Sequence, residues 1–141
     1  MKKMVLITLA LLFIYVSSTA LTHVPTPVSK TFDLKFPNAK NIKWDKENKN
    51  EYEAAFSLDG IKYTASFNEK GEWLETETNI TFNILPEKVQ QAFNTSYKDS
   101  KIKAVAKIEN SKGEIKYEIE IKQKNKTVEK FFKSDGTEIK K

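Results

Sequence analysis

The feature that most constrains the fold is a pattern that the chain uses twice. The segment YTASFNEKGEW, which begins at Tyr63, is matched 65 residues later by VEKFFKSDGTE, which begins at Val128. Each segment places a phenylalanine four positions before a glycine, with polar residues between them. A pattern repeated in register indicates one supersecondary unit present in two copies. The copies are expected to share a core, because such a unit rarely buries its apolar face alone.

Alternation of side-chain character predicts the strands of each unit. In EYEAAFSL, the apolar series Tyr52, Ala54 and Phe56 alternates mainly with polar residues, and the same period continues through IKYTASF. Asp59 and Gly60 between these runs predict a tight hairpin, because both turn positions favour positive φ. Similar runs at NIKWD and EWLETETNI complete four strands, and the second half repeats them. A period of two predicts antiparallel strands with one buried and one solvated face.

A four-residue spacing of apolar side chains predicts one short helix at the start of each unit. The two apolar stripes, 61 residues apart, are Val28, Phe32 and Phe36, and Val89, Phe93 and Tyr97. Pro37 is expected to end the first helix, and Pro86 suits the first turn of the second helix.

These elements predict an α+β fold of two tandem repeats, each a short helix packed on a four-stranded antiparallel meander. The first repeat is predicted over residues 28–84 and the second over residues 85–141. The loop from Asn110 to Gly113 is expected to be about four residues longer than its counterpart, which accounts for the change of offset from 61 to 65.

The N-terminus predicts a secretory signal peptide over residues 1–20. Two lysines precede an apolar run that ends at Val16, and the small residues Ser18 and Ala20 suit a cleavage site. The alternative is a membrane anchor, but the run is shorter than the roughly 20 residues that span a bilayer. Residues 21–27 are expected to form a short leader. The exported chain, periplasmic or secreted, would have 141 − 20 = 121 residues.

The order of these segments resembles a known family. The segments that carry the resemblance are the signal peptide, FPNA, the hairpin EYEAAFSLDGIKYTASF, the run FNEKGEWLETET, and LPEKVQQAF at the start of the second copy. Over Val28 to Ile139 the chain resembles the PepSY-like proteins of Bacteroidetes, whose fold is similar to that of β-lactamase inhibitory protein. The resemblance implies an extracytoplasmic location, no established catalytic activity, and ligand or protein binding on the sheet. Inhibitory proteins of this fold carry disulfides, whereas this chain has no cysteine.

Composition argues against several classes of function. His23 is the single histidine and lies just beyond the predicted cleavage site, so a positioned catalytic base or an imidazole metal site is not expected. All 24 basic residues are lysines interleaved with acids, which argues against a nucleic-acid partner. Glu75, Glu77, Glu118 and Glu120 are predicted to be solvated strand residues rather than catalytic carboxylates. No cofactor and no metal are expected.

A binding surface is the favoured functional feature. Two aromatic residues, Trp73 and Phe131, fall out of phase with their apolar neighbours, so they are predicted to lie on the solvated face of the sheet. Exposed aromatic residues on a charged surface are typical anchors for recognition. The residues predicted to bind a partner are Trp73, Phe131, Lys62, Ser66, Glu75 and Glu118. The alternative is that either aromatic packs against a loop or the junction between copies, or that a bulge after Gly71 turns Trp73 inward.

Two functions therefore follow from the sequence, and a third is less favoured. The first is a non-enzymatic exported module that recognises a protein or peptide through the solvated sheet face. The second is an inhibitor of a secreted or periplasmic hydrolase or peptidase, with the loop from Asn110 to Gly113 entering the active site. The third is an enzyme that uses its carboxylates, which would require an enclosed pocket.

Overall fold

The structure is a computed structural model that describes residues 23–140. The predicted signal peptide, residues 1–20, lies outside the described residues, as does the start of the predicted leader. Two helices and eight strands follow in chain order, and a short 3₁₀ turn spans Phe82–Ile84. The elements are α1 Thr26–Lys35, β1 Lys40–Asn48, β2 Glu51–Leu58, β3 Ile61–Asn68, β4 Trp73–Asn79, α2 Glu87–Tyr97, β5 Lys101–Asn110, β6 Ile115–Gln123, β7 Lys126–Lys133 and β8 Glu138–Ile139.

The strands form one continuous sheet. Its eight strands lie in the order of the sequence, β1 to β8, and each pairs antiparallel with the next. The predicted α+β class and the antiparallel pairing are confirmed. The two predicted meanders are joined edge to edge, because β4 pairs with β5 over five residue positions from Glu75 to Asn79.

Each helix packs on its own part of one sheet face. The helix α1 buries Val28 and Phe32 against β2 and β3, and α2 buries Val89 and Phe93 against β5, β6 and β7. The ring centroids of Phe32 and Phe67 are 6.2 Å apart, and those of Phe93 and Phe132 are 6.4 Å apart. The first core is rich in aromatic rings, whereas the second contains mainly aliphatic side chains, including Val105, Ile119 and Ile121.

The predicted hairpin at Asp59 and Gly60 is present. Both residues have positive φ, 49° and 81°, and every residue of β2 faces a residue of β3 without a shift. The connection between β5 and β6 spans residues 111–114, whereas the equivalent connection between β1 and β2 spans residues 49–50. The loop is therefore longer by two residues, and longer strands account for the remainder of the offset.

Two β-bulges change which side chains face the helices. The first bulge lies in β4. Phe67 and Ser66 of β3 pair with Trp73 and Glu75 of β4, so Leu74 is an extra residue between them. Side chains point alternately to the two faces along a strand. One extra residue therefore moves the side chains that precede it to the opposite face of the sheet. Trp73 consequently lies on the helix-covered face with Phe67, and the prediction that it lies on the solvated face is wrong.

A second bulge lies in β5. Ile102 pairs with Ile121 and Ala104 pairs with Glu120, so Lys103 is the extra residue. Val105 therefore faces α2, while Ala106 and Ile108 face away from the helices. Strict alternation from Ile102 would put Ala106 and Ile108 on the helix side, but Lys107 lies on that side instead, across from Tyr117.

Candidate functional site

The candidate site is the sheet face opposite α1 and α2, called the open face. Its side chains are those whose strand positions alternate with the two cores, as the pairing registers define. Its polar members include Asp45, Glu53, Ser57, Lys62, Thr64, Ser66, Glu75, Glu77, Lys116, Glu118, Glu120, Lys122 and Glu129. Five of the six predicted binding residues therefore lie on this face, and Trp73 does not.

The centre of the open face is buried even though no helix covers it. Glu77 and Glu118 are 7% and 5% exposed, and Ala106, Ile108 and Phe131 are each 5% exposed or less. Side chains of neighbouring strands enclose these residues. The prediction that Glu77 and Glu118 are solvated is therefore wrong. Alternation within one strand reports which face a residue occupies, but not how closely the neighbouring strands crowd it.

Phe131 lies on the open face as predicted, although it is enclosed rather than exposed. It pairs directly with Glu118 across β6 and β7, and with Ile139 in β8. The Nζ atom of Lys116 lies 5.4 Å from the centroid of the Phe131 ring, within cation–π range. The ring thus forms part of an apolar floor beside the buried glutamates.

Ser66 and Glu75 lie directly across from each other on β3 and β4, and both are half-buried. The carboxylate of Glu75 pairs with Lys116 Nζ at 3.8 Å, which connects β4 with β6 over the intervening strand. Lys62 lies at the start of β3, opposite Ser57, and is exposed. The structure thus brings Ser66, Glu75, Glu118 and Phe131 towards the middle of the face and leaves Lys62 at its margin.

Burial and mutual repulsion raise the pKa of several carboxyl groups on the open face. Desolvation and neighbouring carboxylates raise the pKa of Glu77 to about 7, in spite of Lys116, which lowers it. The same two causes raise the pKa of Glu53 and of Glu118 to about 8. The pKa of Glu120 is also raised, mainly by burial. Glu53, Glu77 and Glu118 therefore hold protons near neutral pH, so the centre of the face changes its charge in that range.

Glu77 has a further unusual feature. Its Oε1 atom is buried and has no hydrogen-bond donor among residues 23–140. Directly across from Glu77 lie Thr64 on β3 and Ile108 on β5, and Ile108 offers no side-chain donor. A buried carboxyl oxygen without a donor costs free energy, on the order of 1–3 kcal/mol.

Trp73 is fixed on the opposite side of the sheet. It packs against the first core, and the ring nitrogen Nε1 donates a hydrogen bond of 2.9 Å to Thr76 Oγ1. Lys35 Nζ lies 3.6 Å from the centroid of the Trp73 ring. These contacts tie β4 to the C-terminal turn of α1.

The loop between β5 and β6 is locked by the side chain of Asn110. Its Oδ1 atom accepts hydrogen bonds from the backbone N–H groups of Lys112 and Glu114, both at 3.0 Å, and its Nδ2 donates to the Glu114 carboxylate at 2.7 Å. The N–H of Ser111 donates to the Leu74 carbonyl oxygen at 2.7 Å. Asn68 makes the same side-chain contacts to Lys70 and Glu72. The loop is exposed, but its shape is set in advance.

The described part of the chain has few other candidates for chemistry. Between His23 and Lys140, no group of three or more histidine, cysteine, aspartate or glutamate side chains has the geometry to hold a metal ion. His23 is exposed at the start of the described chain. Within residues 23–140, neither helix has the length and apolar content that crossing a bilayer requires.

Three solved structures have similar folds. A DUF2874 family protein from Bacteroides ovatus is 25% identical, with a TM-score of 0.75 over 84% of this chain and 86% of that chain. A BLIP-like protein from Bacteroides fragilis is 25% identical, with a TM-score of 0.72 over 86% and 87%. A protein from Bacteroides eggerthii, described as one of the "putative periplasmic proteins", is 22% identical, with a TM-score of 0.78 over 84% and 87%.

The sequence comparisons identify the family. No curated protein matches this chain. The profile of the family described as "Putative beta-lactamase-inhibitor-like, PepSY-like" matches residues 15–62 and 50–140, which together cover most of the sequence. None of these descriptions names an enzymatic activity. The chain therefore belongs to the PepSY-like family of β-lactamase-inhibitor-like proteins.

Proposed function

We propose that this protein is a non-enzymatic, exported binding module that recognises a protein or peptide through the open face. The observation that carries the proposal is the placement of both helices on one side of the sheet, which leaves the other side available to a partner. Membership of an inhibitor-like family supports a protein as the partner. The two matches to the family profile also support the interpretation that the chain contains two copies of one helix-plus-sheet unit.

The composition of the open face supports recognition rather than simple solvation. Half-buried polar residues on β2, β3 and β4, such as Glu53, Thr64 and Ser66, surround a centre with an aromatic ring and buried glutamates. Interfaces typically combine an enclosed centre that includes aromatic residues with a polar, hydrated rim. In this proposal Phe131, Ser66, Glu75 and Glu118 contact the partner or support the contact, and Lys62 lies at the rim.

A bulky substitution on the open face tests this proposal. Ser66→Arg places a long side chain in the middle of β3, and it should abolish capture of the partner from envelope extract while shifting the melting temperature by only a few degrees. The matched control is Asn94→Arg on the exposed side of α2, which should capture the partner as the unchanged protein does. Equal capture by both variants, or loss in both, would refute the open face as the docking surface.

A second candidate function is inhibition of a secreted or periplasmic hydrolase or peptidase. The locked loop from Asn110 to Gly113 favours it, because a loop held in one shape loses little conformational entropy when it enters an active site. A screen of envelope hydrolase activities tests this candidate. Replacing residues 111–114 with the two-residue turn of β1 and β2 should relieve inhibition, and the Ser66→Arg variant should still inhibit.

A further inference from the structure

The open face contains a cluster in which glutamate side chains outnumber the lysine side chains beside them. The carboxylate cluster is Glu53, Glu75, Glu77, Glu118, Glu120 and Glu129, from strands β2, β4, β6 and β7. Lys116 stands within it and pairs with Glu75 at 3.8 Å. Burial and the other carboxylates nevertheless outweigh Lys116 at both Glu77 and Glu118. The cluster as a whole therefore favours an additional positive charge.

The oxygen atoms of Glu77 provide a separate observation. Glu77 is 7% exposed, and its Oε1 atom lies inside the cluster without a hydrogen-bond donor from residues 23–140. Folded proteins satisfy the great majority of such atoms, so a missing donor at a surface that binds a partner indicates where the partner supplies one. A donor that also carries positive charge would satisfy both the atom and the cluster.

We infer that the partner inserts one cationic side chain, a lysine or an arginine, into the carboxylate cluster at Glu77, which has Glu53 on one side of it and Glu118 on the other. The inference rests on the proposed function, since it names the chemistry of the partner at the same open face. An ammonium or guanidinium group brings several N–H donors to carboxyl oxygens and compensates their mutual repulsion. The partner residue is thus the anchor of the interface, and the apolar ring of Phe131 lies beside its aliphatic stem.

The charges at the margin of the open face restrict which partner residues can lie next to the inserted cation. Lysines lie around the cluster on five strands: Lys43, Lys62, Lys101, Lys122 and Lys133. A uniformly basic segment would meet repulsion from these lysines, whereas a segment with one cation flanked by acids would match both zones. The partner segment therefore carries an isolated lysine or arginine within a neutral or acidic surface.

Binding of the cation must compete with protons. The charged groups that face Glu77 come from every neighbouring strand that offers one: Glu53 on β2, Glu75 on β4, Lys116, Glu118 and Glu120 on β6, and Glu129 on β7. The adjacent residues on β3 and β5, Thr64 and Ile108, are uncharged. Since the pKa of Glu77 is about 7 and that of Glu118 about 8, binding releases protons and strengthens as the pH rises from 6 to 9.

The test uses the full exported chain and a synthetic peptide, acetyl-Asp-Gly-Lys-Gly-Asp-amide, with a norleucine peptide of the same length as the uncharged control. Calorimetric titration at low salt should give at least tenfold tighter binding of the lysine peptide, with proton release and a further tightening of about tenfold between pH 6 and pH 9. The Glu53→Gln, Glu118→Gln double variant should lose at least tenfold in affinity. If the double variant does not fold, Glu53→Gln alone is measured instead. Its affinity for the lysine peptide should fall by about half as much on a logarithmic scale. Glu69→Gln, an exposed turn residue, is the matched control and should lose none.

Each of the following results would overturn the inference. Equal binding of the lysine and norleucine peptides would remove the charge requirement, and unchanged affinity in the glutamine variants would place the cation elsewhere. Calcium ions that bind in its place and depend on the same glutamates would make the cluster a metal site. If Ser66→Arg abolishes partner capture while the glutamine variants keep it, the proposed function stands and this inference alone fails. If neither set affects capture, the open face itself is not the docking surface.

Discussion

Gly71 lies directly against the backbone of Pro27. A Cβ atom at position 71 would lie 2.4 Å from the Pro27 carbonyl oxygen, and Gly71 has a φ of +83°. The second half repeats the relationship, since a Cβ at Gly136 would lie 2.5 Å from the Lys88 carbonyl oxygen. The two contacts preserve both offsets of the sequence pattern, 88 − 27 = 61 and 136 − 71 = 65. The glycine of each phenylalanine-to-glycine pattern is therefore the residue at which the turn contacts the first turn of its own helix.

Alanine at this contact should be far more damaging than alanine at another turn. Gly71→Ala combines the strain of positive φ with a clash against backbone that cannot move aside, and we expect a loss of about 3 kcal/mol or more. Gly60→Ala is the matched control, because Gly60 has a φ of +81° and nothing within 4 Å of the added Cβ. It should lose about 1 kcal/mol. Urea denaturation of the two variants measures the difference, and equal losses would contradict the role of this contact.

Gly136→Ala should behave like Gly71→Ala if the two halves are built alike. Gly113→Ala serves as its control, since Gly113 also has positive φ and open space around it. The measurement is the midpoint of urea unfolding for all four alanine variants. Gly71→Ala and Gly136→Ala should be severely destabilised, and Gly60→Ala and Gly113→Ala only mildly, so that each half contains one variant of each kind. A mild effect at Gly136 would mean that the second helix is not held at this point.

Removal of the Trp73 ring should lower stability. The ring packs on the first core, donates to Thr76 and lies under Lys35. Trp73→Ala should therefore cost about 2–4 kcal/mol, whereas Trp73→Phe keeps most of the packing and should cost about 1–2 kcal/mol. Thermal unfolding checks both values, with partner capture measured in parallel. Loss of capture in Trp73→Phe with an unchanged melting temperature would instead support the original sequence-based role of this residue in binding.

Asn110 and Asn68 should be equivalent in their effect on stability. Each side chain fixes its turn with two accepted hydrogen bonds and one donated hydrogen bond. Alanine at either position should cost about 1–2 kcal/mol, because the turn loses all three hydrogen bonds. The loss stays modest because water can solvate the freed backbone N–H groups. Asn110→Ala should also make the loop a faster target for limited proteolysis. Asn94→Ala, exposed on α2, is the control for both assays.

Stability should fall as the pH rises through neutrality. Glu77 and Glu118 have pKa values raised from 4.5 to about 7 and about 8. The folded state therefore binds more protons than the unfolded state above about pH 4.5, and stability is lost as the pH rises to about 8. For Glu77 alone the change is about 3 kcal/mol. Unfolding at pH 5.5 and pH 9 measures the slope.

A glutamine substitution at Glu118 provides the control for this slope. The amide keeps the shape of the protonated carboxyl group and cannot ionise, so Glu118→Gln should unfold with a weaker dependence on pH and should be more stable than the unchanged protein at pH 9. A slope that is the same in both proteins would mean that Glu118 titrates normally in the folded state.

Local patterns were sufficient for most of the architecture. Both helix stripes, the hairpin at Asp59 and Gly60, and the pairing of consecutive strands within each half follow from spacings within about ten residues, whereas the pairing of β4 with β5 across α2 was not predicted. Val28, Phe32, Val89 and Phe93 are all buried, as the four-residue spacing predicts. These features depend on contacts that each segment makes with its nearest neighbours along the chain.

Features that depend on several strands at once were missed. An extra residue at Leu74 or Lys103 does not interrupt the alternation in a visible way, yet it reverses the facing of Trp73 and of Ile108. The burial of Glu77 likewise depends on β5 and β6, which lie far along the chain. One signal was available: the apolar run Ala104 to Ala106 is typical of a strand buried on both faces.

The most direct test of the central claim is site-specific photo-crosslinking in the producing cell. A benzoylphenylalanine at Ser66, on the open face, should form a covalent adduct with an envelope protein, and the same group at Asn94 on α2 should not. Adducts from Asn94 alone, or from neither position, would contradict the claim that the partner docks on the side of the sheet opposite the helices.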